Sequence, residues 1–230
     1  MDDLTSPHGP VLVLAPHADD ESLGCGMLLA DLWCGGGRAH VACLTDGAAS
    51  HPRSRTHPPA RLAAIRRHEM RAAIARLGGT DRDVTFLDLP DAGAHRVHGP
   101  GQDPARTLAA LVDRLGAAVL VAPSPLDPHC DHDAGARAAR AVAAMRPGLR
   151  LLLYPIWSRW IGGGTAPVPW NGTPLRFDAP RHRARKAAAI AAHASQRGRV
   201  VRDDPDGFAM PPGFADHFVA GPEPFFAVAS

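Results

Sequence analysis

The sequence predicts an α/β protein with a Rossmann-like, three-layer fold around a mostly parallel sheet. Short continuous apolar segments, beginning with Val11–Ala15, are typical of strands that are buried on both faces. They alternate with amphipathic stretches of helical length, which indicates parallel strands with helices on both sides. In the common strand order 3-2-1-4-5, strands one and four are neighbours, and the ligand-binding crevice opens at their carboxyl ends.

The individual elements follow the apolar periodicity and the positions of glycine and proline. The predicted strands are Val11–Ala15, His40–Leu44, Val84–Leu89, Ala118–Ala122, Leu151–Pro155 and Phe225–Ala229. The predicted helices are Glu21–Trp33, Ala60–Leu77, Pro104–Leu115, Asp131–Met145 and Pro180–His193. The regularity weakens after Ile156, so we predict an irregular loop region over residues 156–180, before the C-terminal helix and final strand. Because the chain shows no internal repeat and no linker, we expect one domain over residues 1–230.

Composition excludes several classes of protein. With 45% hydrophobic and 21% charged residues, the chain resembles ordinary globular proteins. A net charge of +2 gives no reason to expect a nucleic acid or membrane partner. No apolar stretch approaches the roughly 20 residues of a membrane span, and no signal-peptide pattern is visible, so we expect a cytoplasmic protein. The oligomeric state is left open, with a homo-oligomer as one option.

The first group of candidate functional residues is the P-H-A-D-D-E segment at residues 16–21, directly after strand one. His17 and Asp20 stand three residues apart at a helix start, so both side chains can face one point. An imidazole and a carboxylate are good ligands for zinc or ferrous iron. Asp19 points in another direction and remains free to act as a base. The alternative is that the two aspartates only cap the helix, but the adjacent histidine and glutamate favour a metal site.

The second group is the H-C-D-H segment at residues 129–132, which follows strand four in the same way. Taken alone, it could be a helix cap by Asp131 with two surface histidines. The two groups reinforce one another, because neighbouring strands bring them to the same crevice. His17, Asp20 and His132 would then form a set of two histidines and one carboxylate, with open positions for water and substrate.

At these two motifs the sequence resembles the PIG-L/LmbE-like family of metal-dependent N-deacetylases. The family pattern is roughly (P/A)-H-P-D-D-E after the first strand and H-P-D-H after the fourth. Other similarities are T-D-G at 45–47, R-R-H-E at 66–69 with the later Leu77-Gly78, H-x-S-Q at 193–196, Glu223 and F-F at 225–226. The resemblance extends over essentially the whole chain; the paired motifs are specific, and the late elements are weak alone.

The resemblance implies hydrolysis of an acetamide on an N-acetylglucosamine-type sugar, a sugar conjugate or an antibiotic intermediate. The expected partner is therefore a small acetylated amino sugar or conjugate. The implied cofactor is a divalent metal on His17, Asp20 and His132, usually assigned as Zn²⁺, although these ligand types also suit Fe²⁺ or another divalent ion. Such a metal lowers the pKa of its water to about 7 and polarises the carbonyl.

The resemblance also implies roles for the neighbouring side chains. Asp19 would take the proton from the water and later return it to the leaving amine. His129, protonated, would stabilise the oxyanion. Asp131 would orient a neighbouring histidine, and Glu21 would have a similar supporting role.

Substrate-binding groups are expected on the rim of the same crevice. Arg66 matches a family position that helps to hold sugar hydroxyls or the leaving part; the alternative is a solvated helix face. Asp91, after strand three, could accept hydrogen bonds from hydroxyl groups. Trp157, Trp160 and Trp170 form either a sugar-stacking wall or the packing of a long loop, and residues 162–174 are expected to act as a mobile lid. The histidines expected at the surface include His51, His57, His95 and His98.

Two positions depart from the family pattern. Ala18 replaces the usual proline, which should loosen the loop without removing a ligand. Cys130 replaces proline and places a thiol near the metal. That thiol could be a silent replacement, which we favour, an oxidation-sensitive group or a stray ligand.

Two other functions compete with the deacetylase interpretation. One keeps the metal site and changes the bond, giving an amidase that acts on a thiol conjugate or another non-sugar amide. The other is a nucleotide-binding domain or a non-catalytic scaffold. The loop after strand one contains no G-x-G-x-x-G and no P-loop, which disfavours nucleotide binding. The free Asp19 argues against an inactive metal-binding scaffold.

Overall fold

The computed structural model describes residues 9–96 and 103–229. Its strands are β1 (Val11–Ala15), β2 (Ala39–Thr45), β3 (Val84–Leu89), β4 (Val119–Pro123), β5 (Arg150–Tyr154), β6 (Thr173–Phe177) and β7 (Glu223–Val228). Its α-helices are α1 (Asp20–Cys34), α2 (Pro59–Leu77), α3 (Pro104–Leu115), α4 (Cys130–Ala144), α5 (Trp157–Ile161), α6 (Arg183–Ala192) and α7 (Phe214–Ala220). In the described part of the chain, none of these helices combines the length and apolar character needed to span a bilayer.

The strands form one sheet in the order β3-β2-β1-β4-β5-β7-β6. β1 pairs in parallel with both β2 and β4, and β4 pairs in parallel with β5. The predicted order of the first five strands is therefore confirmed. The loops that follow β1 and β4 leave the sheet side by side, at the point where the strand order reverses.

Alternate residues of β1 contribute to two hydrophobic clusters on opposite faces of the sheet, because successive strand side chains point in opposite directions. Val11 and Val13 pack in the cluster that contains residues of α1, α2, α6 and α7. Leu12 and Leu14 pack in the cluster that contains residues of α3 and α4. Burial on both faces explains the continuous apolar sequence of this strand, and the predicted three-layer architecture is confirmed.

The chain beyond β5 differs from the prediction. β7 pairs antiparallel with β5, and β6 pairs antiparallel with β7, so the irregular region predicted over 156–180 contains the edge strand β6 and the short helix α5. Thr173 and Pro174 at the start of β6 are exposed, and proline within a strand is confined to sheet edges, which hides the strand from a periodicity search. The predicted final strand is confirmed as β7, and α7 was not predicted.

Two sides of α1 carry glycine where neighbouring side chains approach closely. A Cβ atom at Gly24 would lie 2.3 Å from a ring carbon of Tyr154. A Cβ atom at Gly26 would lie 2.9 Å from Cγ of Lys186. These two glycines let Tyr154 and α6 pack directly against the backbone of the helix that starts in the site.

A buried ion pair also fastens α1. Lys186 Nζ lies 2.7 Å from Glu223 Oε1, and both side chains are fully buried. The Glu223 carboxylate also accepts hydrogen bonds from the amides of Met27 and Leu28, at 2.7 and 2.9 Å. This pair therefore ties α6 and β7 to the middle of α1.

Candidate active site

The loop after β1 brings three of the predicted residues to the carboxyl edge of the sheet. His17 lies two residues beyond β1, and Asp20 is the first residue of α1. Between them, Asp19 has a φ of 151°, which side chains with a Cβ rarely adopt. Such a conformation costs on the order of 1–3 kcal/mol and persists only where the surroundings hold it.

Glu21 provides that support. Its carboxylate accepts a hydrogen bond from the amide of Asp19 at 3.0 Å and another from the hydroxyl of Ser22 at 2.6 Å. It also lies 2.9 Å from Nε2 of His193, the residue that follows α6. Glu21 and His193 are both fully buried, so this geometry favours the expected supporting role for Glu21.

The second motif starts α4. His129 caps the helix, with Nδ1 accepting a hydrogen bond from the amide of Asp131 at 3.2 Å. His132, in the first turn, is fully buried. Its Nδ1 lies 2.9 Å from Oδ2 of Asp127, so Asp127 sets the direction of the ring.

Asp127 is itself held firmly. Its carboxylate accepts hydrogen bonds from the amides of Ile156 and Ser158, each at 2.9 Å, and from the Ser158 hydroxyl. The segment after β5 therefore fixes Asp127, which in turn fixes His132. The outward nitrogen, Nε2 of His132, has no hydrogen-bond partner among the residues that the structure describes.

The three predicted metal ligands come together. Oδ2 of Asp20 lies 3.3 Å from Nδ1 of His17 and 3.4 Å from Nε2 of His132. A tetrahedral ion with bonds of about 2.0–2.1 Å separates its ligand atoms by about 3.3–3.4 Å. These two separations fit a divalent cation, which would also give the buried Nε2 of His132 a partner, and the ring centres of His17 and His132 lie 5.5 Å apart.

His129 offers an alternative third ligand. His17, His129 and His132 can each present one ring nitrogen, and those three atoms lie within 4.8 Å of one another. The His129 side chain is 33% exposed, whereas that of Asp20 is 4% exposed. His129 therefore lies nearer the mouth of the cavity, and Asp20 is the deeper of the two side chains.

The second nitrogen of His17 faces two carboxylates. Nε2 lies 3.3 Å from Oδ2 of Asp131 and 3.3 Å from Oδ1 of Asp91. Asp131 also accepts hydrogen bonds from the amides of Ala92 and Ala94, which ties the loop after β3 to α4. The histidine that Asp131 can orient is thus His17.

Arg66 is buried, with 3% exposure, so the alternative of a solvated helix face is wrong. Its guanidinium donates to the carbonyl oxygens of Gly47 and Ala18, at 3.2 Å each. It also lies 3.7 Å from Asp19 and 3.8 Å from Asp91. Arg66 therefore holds the loops after β1 and β2 and faces both carboxylates.

Burial and neighbouring charges shift the titration of these groups. Burial raises the pKa of Asp19 to about 6, against the opposing charge of Arg66. Burial acts against protonation of His132, but Asp20 and Asp127 outweigh it and raise the pKa of His132 to about 9. Asp20 shows the reverse: despite its burial, the charge of His132 holds the pKa of Asp20 below the usual range.

His129 differs from the protonated form expected from sequence. Burial, followed by the charges of His17 and His132, lowers the pKa of His129 to about 4. This favours a neutral ring near neutral pH. Because Nδ1 accepts the amide proton of Asp131, the neutral ring carries its own proton on Nε2, which remains a hydrogen-bond donor.

A cavity of about 380 Å³ opens onto this cluster. The predicted residues that line it are His17, Asp19, Asp20, Arg66, Asp91 and His129. The other three, Glu21, Asp131 and His132, are fully buried behind that lining. The structure therefore gathers all nine predicted residues around one cavity.

The tryptophans do not form one wall. Trp157 lines the cavity, whereas Trp160 packs on Phe214, with ring centres 5.2 Å apart. Trp170 lies in a separate groove, under the guanidinium of Arg140 at 4.7 Å. The expected lid over residues 162–174 is wrong in this structure, because none of these residues lines the cavity and the segment leads into β6 at the edge of the sheet. The segment 206–210 lies at the cavity instead.

Among the histidines expected at the surface, His95 is exposed and His57 is half-buried. His51 is 4% exposed, so its prediction is wrong; it is packed against Gly207, where a Cβ atom would lie 2.2 Å from the imidazole ring. His98 lies outside the described residues. Cys130 is exposed, with Sγ 3.8 Å from Asp131 Oδ1, and is not among the residues that line the cavity.

Sequence reasoning assigned no role in the site to Asp127, His193 or Asp203. Asp127 has a local signal, because it lies five residues before a candidate ligand in the loop that positions it. His193 belongs to a weak motif and acts through Glu21. Asp203 accepts hydrogen bonds from Ser54, Arg55 and Thr56 and thereby fastens the loop after β2. Nothing in the sequence indicates that last pairing, because it joins two irregular segments.

Replacing Asp127 with asparagine is expected to lower metal affinity by about 10- to 100-fold, because the ring of His132 loses its charged partner. Competition with a chelator measures this affinity without turnover. Asp133→Asn is a matched control on the exposed side of α4, and it should leave affinity unchanged. Equal affinity in the two variants would show that Asp127 does not position a ligand.

Fold and centre together define the class of protein: an α/β protein with a buried histidine–aspartate centre at the carboxyl edge of a mostly parallel sheet. The sequence model of the PIG-L family, described as GlcNAc-PI de-N-acetylase, matches residues 12–143. This match covers more than half of the chain, and the chain belongs to this family. No curated protein sequence is significantly similar to the chain.

The chain is also similar to solved structures. One is a triple mutant of the deacetylase of the teicoplanin biosynthetic pathway, with a TM-score of 0.72 and 20% identity over 96% of this chain and 98% of that one. Another is N,N'-diacetylchitobiose deacetylase from Pyrococcus horikoshii, with a TM-score of 0.66 and 22% identity over 82% of this chain and 70% of that one. A third is GalB, a 4-carboxy-2-hydroxymuconate hydratase from Pseudomonas putida, with a TM-score of 0.65 and 20% identity over 92% of this chain and 83% of that one. These likenesses establish a shared fold.

Proposed function

We propose that this chain is a zinc-dependent N-deacetylase that hydrolyses the acetamide of a small amino sugar, sugar conjugate or antibiotic intermediate. The observation that carries the proposal is the buried centre around His132. Asp127 fixes one nitrogen of His132, and the other nitrogen has no hydrogen-bond partner among the described residues. Family membership favours deacetylation. The likeness to the teicoplanin-pathway and chitobiose deacetylases favours a sugar or antibiotic substrate.

The residues that would hold the metal are His17, Asp20 and His132. Zinc suits two imidazoles and one carboxylate, and Fe²⁺ suits the same set. A bound ion of this kind polarises the amide carbonyl and lowers the pKa of a water to about 7. Asp131 would keep His17 in place by accepting a hydrogen bond from its second nitrogen.

Asp19 would move the proton. As a carboxylate it takes one proton from the attacking water while the water oxygen bonds to the carbonyl carbon. It then returns that proton to the nitrogen as the C–N bond breaks, which leaves a free amine and acetic acid, and the acid ionises to acetate at neutral pH. A pKa of about 6 suits both halves of this cycle, because the group is ionised at neutral pH and is still readily protonated.

His129 would stabilise the negative charge that develops on the carbonyl oxygen. Its Nε2–H points away from the helix that it caps, and its exposed face lines the cavity. A neutral imidazole donates one hydrogen bond there without a net charge. The family expectation of an oxyanion-stabilising His129 therefore remains our proposal, with a neutral ring in place of a protonated one.

Asp91 and Arg66 would bind the sugar. Asp91 Oδ2 accepts the amide of Ala49 at 2.9 Å, and Asp91 lines the cavity. A buried sugar hydroxyl without a partner costs about 1–3 kcal/mol. Asp91→Ala is therefore expected to reduce acetate release about 5- to 100-fold without loss of metal.

The test is acetate release from N-acetylglucosamine derivatives by the metal-loaded protein, repeated with Asp91→Ala. Asp81→Ala, on the exposed turn before β3, is the control and should keep full activity. Normal activity in Asp91→Ala would remove this residue from substrate binding. No release from any sugar, together with cleavage of a non-sugar amide, would overturn the substrate class and leave a metal-dependent amide hydrolase.

A further inference from the structure

The cavity at the metal centre has two chemically different walls. The loops after β1, β2 and β3 and the helix α2 contribute polar groups, including Ser50, Arg66 and Asp91. Gln196 and Asp206 also line the cavity, whereas six further lining residues are apolar: Leu23, Ile156, Trp157, Phe208, Met210 and Phe214. We call these six residues the apolar wall. None of them has a role in the mechanism proposed above.

The apolar wall is a packed structure. Leu23, Ile156 and Phe214 are 2% exposed or less and form its base. The Trp157 ring lies 5.0 Å from that of Phe214 and 5.9 Å from that of Phe208, measured between centres. Trp157, Phe208 and Met210 are only half-buried, so they keep apolar surface for a ligand.

The apolar wall begins directly beside the centre. Leu23 lies three residues after Asp20 and therefore on the same face of α1. The amide of Ile156 donates to Asp127, the residue that holds His132. A carbonyl at the metal centre therefore has both apolar surface and hydrogen-bonding groups within the same cavity.

We infer that the preferred substrate carries a straight-chain acyl group longer than acetyl, which lies along the apolar wall. This inference rests on the proposed amide hydrolysis. An N-acyl amino sugar has a hydroxylated side and an aliphatic side, and the placement with the acyl chain on the apolar wall matches both kinds of lining. The polar side of the cavity satisfies the hydroxyls, whereas the apolar wall removes methylene groups from water.

The chemistry is unchanged by the longer chain. Water adds to the carbonyl carbon, the C–N bond breaks and the proton passes to the nitrogen. The products are a straight-chain carboxylate and the free amino sugar. Each buried methylene contributes about 0.8 kcal/mol, which corresponds to about a fourfold gain in kcat/KM.

The experiment compares glucosamines with N-acetyl, N-butanoyl, N-hexanoyl and N-octanoyl groups, using metal-loaded protein. We expect kcat/KM to rise about fourfold per methylene until the chain outgrows the cavity. A second series keeps the acetyl group and lengthens the glycoside from methyl to octyl, and it should show no such rise. Titration of Asp19→Asn with the uncleaved amides gives the corresponding affinities without turnover.

Met210→Ala should reduce the ratio of hexanoyl to acetyl cleavage several-fold, because it removes apolar surface from the wall. Met145→Ala is the matched control, since this methionine is 62% exposed at the end of α4, and it should keep the ratio of the unmodified protein. Phe208→Ala provides a second variant of the wall.

A flat or falling acyl series with active acetyl cleavage would overturn the inference and leave the deacetylase function standing. A gain along the glycoside series instead would also overturn it, because the apolar wall would then hold the leaving group. If no amide is cleaved, the proposed function fails, but affinity that rises with acyl length in Asp19→Asn would still support the acyl site. Affinity that is independent of acyl length would overturn it.

Discussion

Asp19→Ala is expected to lower turnover by at least about a hundredfold while the metal remains bound. The variant removes the carboxylate proposed to accept the proton of water and to return it to the leaving nitrogen. Asp19 lines the cavity at 6% exposure, and its pKa of about 6 suits both transfers. The measurement is acetate release at saturating substrate, with metal content determined on the same samples.

Two controls separate this role from damage to the site. Alanine keeps the Cβ that makes the φ of 151° unfavourable at position 19, so the variant should unfold at a denaturant concentration close to that of the unmodified protein. Asp19→Asn keeps the size and removes the charge, and it should be impaired to a similar degree. Near-normal turnover with full metal occupancy would remove Asp19 from the mechanism.

Glu223→Ala is expected to lower the free energy of unfolding by about 3–5 kcal/mol. The substitution leaves the Lys186 ammonium in the interior without its partner, 2.7 Å away in the unmodified protein. It also removes the acceptor for two amides of α1. Burial already lowers the pKa of Lys186, and loss of the neighbouring carboxylate would lower this pKa further. Denaturant unfolding, followed by circular dichroism, measures the change.

The double variant Lys186→Met/Glu223→Gln removes both charges and should be more stable than Glu223→Ala. Asp113→Ala breaks the ion pair with Arg146, whose Asp113 side is 62% exposed, and it should have little effect. If Glu223→Ala were as stable as Asp113→Ala, the buried pair would not hold α1 in place.

The sequence was sufficient for the first five strands because each is a short, mostly apolar segment between stretches of helical periodicity or loop composition. The same pattern located His17, Asp20 and His132, since parallel strands bring their carboxyl ends to one edge. The sequence identified Arg66 as a candidate site residue but did not predict its burial, because that burial depends on two loops that pack over α2.

The remaining features depend on contacts between distant segments. β6 has exposed residues and a proline, so it becomes a strand only by pairing with β7. His51 is buried because the segment near Gly207 packs over it, and two irregular loops leave no periodic signal. Asp127 acts through hydrogen bonds to residues after β5, so its role appears only when β4 and β5 are neighbours.

The two walls of the cavity come from different parts of the chain. The family match ends at residue 143, and five of the six residues of the apolar wall lie beyond it, between Ile156 and Phe214. Mutation can therefore reshape one part of the binding surface without altering the groups that break the bond. For protein engineering, residues 206–214 are the segment to exchange between relatives when a new specificity is wanted.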